Sequence, residues 1–118
     1  MNEIILSTQN GEPVASSRDV AERFGKEHKD VLRSIKNLTA QNCALLKMFH
    51  KTEYTTAQNK KATMYLMNRD GFSLLAMGFT GKEAVQWKLK YIEAFNQMEK
   101  QLAAQHKEQQ AVQDANIQ

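Results

Sequence analysis

Residues 16–38 read SSRDVAERFGKEHKDVLRSIKNL, and this stretch decides the fold. Ser16 is a good helix N-cap, and Asp19 completes a capping-box pattern with the shorter acid. Val20, Ala21 and Phe24 then fall on one helical face. Gly25 ends that helix, because glycine is at ease in the left-handed conformation. A second helix is predicted over Glu27–Leu38, where Val31, Leu32, Ile35 and Leu38 repeat with helical spacing. A helix-turn-helix needs a small residue at the crossing, a glycine at the turn and an apolar residue holding the second helix down. Ala21, Gly25 and Val31 are spaced for those roles. Ser34 departs from the pattern, since an aliphatic residue is expected there; Ile35 serves instead with a slight rotation.

With the apolar residues turned inward, the second helix presents Lys26, His28, Lys29, Arg33 and Lys36. Lysine and arginine contact phosphates, Arg33 is suited to a guanine edge in the major groove, and His28 to donation to a phosphate or base. Glu27 and Asp30 lie on or near the same face and weaken its field. The plain alternative is an amphipathic helical hairpin whose charged face is merely solvated.

Outward from this pair, Ile4–Leu6 and Pro13-Val14 flank Asn10-Gly11, a strong hairpin-turn signal. Residues 39–46 fit a helix extension or a strand start equally well. Phe49–Thr56 and Ala62–Asn68 alternate as two strands around the polar tract Ala57–Lys61. Asn59, Lys60 and Lys61 stand at the tip, either as a wing on the phosphate backbone or as a turn that aids solubility. Asn68 or Asp70 can cap a short helix through Phe72, Leu74, Leu75 and Met77, which Gly78–Gly81 breaks. Thr80 is the expected N-cap of a last helix, with Glu83 in the reciprocal position. Ala84, Trp87, Lys88, Tyr91, Phe95, Met98 and Leu102 keep a stripe along it, read as core or as a self-association face. Residues 103–118 are expected to be a polar helical extension or disordered tail after a domain over 1–102.

The chain has 118 residues, which suits one core, and 42% are hydrophobic. The net charge of +3 is a mild bias, but it is unevenly placed. Residues 47–69 hold five cations against one acid, whereas residues 82–118 balance at five each. The positive field thus lies in the first two thirds, where it would draw a polyanion. Cys43 is the single cysteine, no apolar run is long enough to span a bilayer, and MNEIILSTQNGE lacks a leader's basic start; a cytoplasmic protein is expected. Cys43 is read as a small hydrophobe. His28, His50 and His106 lack ligand-like spacing, and no phosphate loop or carboxylate couple stands out. The expectation is therefore a non-enzyme without metal, cofactor, membrane or small-molecule substrate.

Four blocks carry a resemblance. They are SSRDVAERFGKEHKDVLRSI, Tyr65–Phe72 (YLMNRDGF), Leu75–Gly81 (LAMGFTG) and Tyr91–Glu99 (YIEAFNQME). In this order, over about residues 12–102, they resemble the phage regulatory protein Rha family. The resemblance implies a small prophage-encoded regulator that binds DNA and acts on phage gene expression. Members are similar to the N-terminal DNA-binding modules of phage antirepressors, and many continue into a further C-terminal domain; this chain looks like the N-terminal module nearly alone. The Gly78-Phe79-Thr80-Gly81 block reads physically as a turn setting the angle between two helices, with Phe79 buried.

The expected architecture is α+β: a helix-turn-helix with a β-hairpin wing, winged-helix-like, closed by a long C-terminal helix. The expected function is sequence-specific binding of double-stranded DNA in transcriptional regulation, with Lys26, His28, Lys29, Arg33 and Lys36 on the reading helix and Lys60 and Lys61 on the backbone. A homodimer through the C-terminal helix would match a palindromic site. The rival is an antirepressor-like module that binds a host or phage regulator through that helix.

Overall fold

The computed structural model describes residues 4–117, with side chains over residues 4–105. The chain runs β1 (Ser7–Gln9), β2 (Glu12–Ser16), α1 (Ser17–Arg23), α2 (His28–Gln41), a 3-10 turn (Cys43–Met48), β3 (Phe49–Thr55), β4 (Lys61–Met67), α3 (Arg69–Ala76) and α4 (Lys82–Ile117). It is an α+β fold with one antiparallel four-stranded sheet in the order β1-β2-β4-β3. The stretch expected as an extension or tail, residues 103–118, lies mostly outside the described side chains.

Local signals explain most boundaries. Asn10 and Gly11 both take positive φ, 53° and 81°, and close the β1–β2 hairpin. The Ser16 hydroxyl accepts from the Asp19 amide at 3.0 Å, so α1 starts where its cap dictates. Gly25 sits at φ 66°, and the Lys26 amide reaches back to the Ala21 carbonyl at 2.8 Å, closing α1 with a left-handed cap. Asn68 caps α3 by accepting from the Gly71 amide at 2.9 Å. The ambiguous residues 39–46 divide: α2 continues to Gln41, and Asn42 then caps the 3-10 turn through the Ala44 amide. That turn leaves Cys43 exposed, where the sequence suggested a small hydrophobe. Gly81, at φ 103°, immediately precedes α4, and its carbonyl accepts from the Val85 amide.

The core forms where α1, α3 and α4 meet over the sheet. Val20, Ile35, Met67, Tyr91 and Phe95 are among its fully buried members. Rings of Phe24, Phe72, Phe79, Tyr91 and Phe95 interlock there, with Phe72–Tyr91 at 4.6 Å and Phe24–Phe79 at 4.7 Å between centroids. Phe79 is buried, so the turn between α3 and α4 is pinned as its motif implied. Arg69 locks the same two helices by a fork on the Glu99 carboxylate, both contacts at 3.1 Å, and a further bond to Asn96. Gly71 is required by close packing: a Cβ there would stand 2.7 Å from the Met48 carbonyl oxygen.

Candidate nucleic-acid interface

The helix pair and the β3–β4 hairpin lie side by side, joined by one buried hydroxyl. Ser17, fully buried at the start of α1, accepts from the Tyr65 amide of β4 at 3.0 Å. The same oxygen stands 2.8 Å from Nε2 of His28, the first residue of α2. A Ser17 hydroxyl that accepts from Tyr65 and donates to His28 uses each donor once, with the imidazole proton on Nδ1. The His28 ring also meets Tyr54 of β3 edge-on, at 6.0 Å between centroids. Three elements thus fix the start of α2 against the hairpin.

Burial and the Arg18 charge hold the His28 pKa below its ordinary 6.5, so the ring is neutral at physiological pH. His28 is therefore a positioned, half-buried group whose Nε2 is already engaged, rather than a freely extended donor.

The remaining cations proposed from sequence are exposed. Val31 and Ile35 turn inward and are buried, while Lys29, Asp30, Arg33, Ser34, Lys36 and Asn37 face solvent. Ile35 fills the inward slot beside the polar Ser34. Neither α4 nor the sheet covers the polar side of α2. Lys29 pairs with Glu27 at 3.4 Å, and Arg33 with Asp30 at 3.3 Å. All four side chains are at least half exposed, the least so being Asp30 at 50%. Such pairs hold less than about 1 kcal/mol and exchange readily for another anion. Lys36 has no ion pair among the described residues. The Lys26 ammonium lies 5.4 Å over the Phe79 ring, which ties it to the α3–α4 turn.

The hairpin tip is tight. The Thr56 amide donates to the Lys60 carbonyl at 2.7 Å, and Asn59 takes φ 63°, the left-handed conformation of a short hairpin loop. Lys60 and Lys61 are exposed there without an ion pair among the described residues. The structure brings His28 and the hairpin together directly; Lys60 and Lys61 share the hairpin with Tyr54, and Lys29, Arg33 and Lys36 share α2 with His28. Sequence reasoning missed Ser17 and Tyr54. A buried serine just after a cap residue looks like a second cap, and Tyr54 sits in a strand alternation that does not say what crosses it.

Among the described residues no helix is long and apolar enough to cross a membrane, and no three His, Cys, Asp or Glu side chains gather as a metal site. The profile of the family "Phage regulatory protein Rha" matches residues 15–100. The chain is similar to an uncharacterized protein of Haemophilus influenzae, 40% identical over 93 residues, covering 75% of this chain and 53% of that one. It is similar to an uncharacterized protein from the gp15–gp3 intergenic region of Salmonella phage P22, 34% identical, covering 83% and 50%. It is also similar to the "SPbeta prophage-derived putative antirepressor protein YoqD" of Bacillus subtilis (strain 168), 35% identical, covering 81% and 40%. The chain spans about half the length of the curated relatives it matches. No solved structure matches.

Proposed function

The chain belongs to the phage regulatory protein Rha family, and from that premise we propose that it is a phage- or prophage-encoded regulator that binds double-stranded DNA with sequence preference. In this reading α1 and α2 form a helix-turn-helix, the β3–β4 hairpin is its wing, and the arrangement is winged-helix-like. Helix α2 enters the major groove; Lys26, Lys29, Arg33 and Lys36 line the contact, His28 lies at its edge and orients the start of α2, and Lys60 and Lys61 hold the backbone. Residues 1–102 are the DNA-binding domain, and 103–118 extend it. The protein works in the cytoplasm of its bacterial host.

One observation carries this reading: the polar side of α2 is uncovered, and its ion pairs are weak and exposed. Phosphates can displace Glu27 and Asp30 at small cost. Fluorescence anisotropy on prophage and random duplexes, over a range of salt, tests it. Affinity is expected to fall linearly in log–log form with salt. Arg33→Ala should cost about 1–3 kcal/mol on the preferred site and relax preference, whereas Lys60→Ala should weaken all sequences alike. Unchanged binding by Arg33→Ala on both duplexes would remove α2 as the reader.

A second reading rests on a different surface. Val85, Leu89 and Ile92 are exposed along α4, and one relative bears an antirepressor's name. An antirepressor-like module would dock a host or phage regulator there. It would co-purify with that partner and show no salt-sensitive DNA binding.

A further inference from the structure

The arginine that the sequence left out stands at the junction of all three basic elements. Arg18, in the first turn of α1, is exposed, and its guanidinium carbon lies 3.9 Å from the centroid of the Tyr54 ring on β3. The other side of this junction is His28, edge-on to the same Tyr54 ring and bonded to Ser17 next to Arg18. Arg18 makes no ion pair among the described residues, while Arg33 and Arg69 are each matched by a carboxylate. Stacking on a tyrosine face leaves all the guanidinium N–H groups free in the ring plane while fixing where they point. An arginine held that way loses little side-chain entropy when it meets a phosphate.

We propose that Arg18 is a phosphate-backbone contact, with Tyr54 as its positioning residue. The inference rests on the DNA-binding reading above and adds a contact from α1, so that the start of α1, the start of α2 and the wing grip one stretch of backbone together. The ligand is a polyanion rather than a free phosphate. Asp19 and Glu22 line the same groove as Arg18 and Lys26, and they would repel a small anion that had only this one site to hold it. A duplex is also held by the rest of the basic surface, so its backbone can reach the guanidinium despite them.

The test is a salt series of anisotropy titrations on a random duplex with wild type, Arg18→Ala, Tyr54→Leu and Tyr54→Phe, each first checked for folding by circular dichroism. Removing one phosphate contact flattens the log–log salt slope by about 0.9, so the wild-type advantage over Arg18→Ala should shrink about threefold for each fourfold rise in salt. Tyr54→Leu keeps the charge, so it should bind more weakly with the slope nearly unchanged. Tyr54→Phe keeps the stacking face and should bind as wild type does. Inorganic phosphate at matched ionic strength should compete no better than chloride. If the wild type binds with a salt-dependent slope and Arg18→Ala matches it at every salt, Arg18 is not a contact and the wider reading stands. If the wild type itself shows no salt-dependent binding, both fall.

Discussion

Tyr91 is fully buried, and its hydroxyl has no hydrogen-bond partner among the described residues. Burial, and next the Asp19 charge, push its pKa well above the ordinary phenol value, so it stays neutral. A buried hydroxyl without a partner carries its desolvation cost uncompensated, while the ring packs on Phe72 and Phe24. Tyr91→Phe should therefore leave stability unchanged or raise it by up to about 1 kcal/mol in urea unfolding; a clear loss would reveal a partner for the hydroxyl. His28 behaves oppositely with pH. Its folded pKa lies below its unfolded value of 6.5, so the folded state disfavours the proton. Its contribution to stability is whole above pH 6.5 and is lost as pH falls through the folded pKa. Thermal melts should show a midpoint dropping on acidification in this window, with the drop reduced in His28→Gln. Both effects depend on burial and neighbours remote in sequence, which is why neither was legible beforehand: the spacing that placed Tyr91 on the core stripe says nothing of its hydroxyl, and His28 read simply as a donor to a phosphate or base on the outward face of its helix.

At the scale of elements, most caps were legible because each is written in adjacent residues; Thr80, expected to cap α4, stands one residue too early, with Gly81 directly before the helix. Ser16 with Asp19, Gly25, Asn10-Gly11 and Asn68 all act where the sequence placed them. The strands Phe49–Thr55 and Lys61–Met67 fall within a residue of the alternation that marked them. The pairing of β2 with β4 was not legible, since it rests on just two register positions, Ala15↔Met67 and Ser16↔Leu66, about fifty residues apart. The 3-10 turn was ambiguous because a short apolar run carries no distinguishing period. The attachment of the β3–β4 hairpin to the helix pair is likewise a long-range matter, and it converges on Ser17. Ser17→Ala would leave the buried Tyr65 amide unpaired and free His28 from its bond. The expected cost is about 1–3 kcal/mol in urea, with hydrogen exchange at the Tyr65 amide accelerated more than at the α3 amides. Equal acceleration in both places would show that Ser17 stabilises the whole domain without a special hold on the β3–β4 hairpin.

The whole molecule raises the question of what α4 does beyond closing the core. Its 36 residues span about 54 Å, and Leu102, half-buried, is the last core-stripe residue that the described side chains place against the domain. The sequence showed one apolar stripe and left open whether it was core or a self-association face. The structure puts its members Ala84, Tyr91 and Phe95 in the core, with Met98 packed against it. A second stripe, Val85, Leu89 and Ile92, turns roughly a third of a turn away and is exposed by 54%, 62% and 46%. A helix with apolar residues on two sides gives no clue from its own period as to which side meets the domain, so this surface became visible only with the fold. Three large apolar side chains in steps of four and three are a seam that a second α4 could share. A two-fold pair would set two copies of α2 against a palindromic site. Sedimentation equilibrium of the wild type is then expected to show a concentration-dependent dimer, and Leu89→Glu a monomer with its helix content kept. On a duplex with two half-sites that variant should lose more affinity than on one half-site, because the linkage between sites is gone while each α2 is intact. A wild type that stays monomeric at every concentration would confine the protein to single half-sites and leave the exposed stripe to a different partner, as the antirepressor-like reading requires.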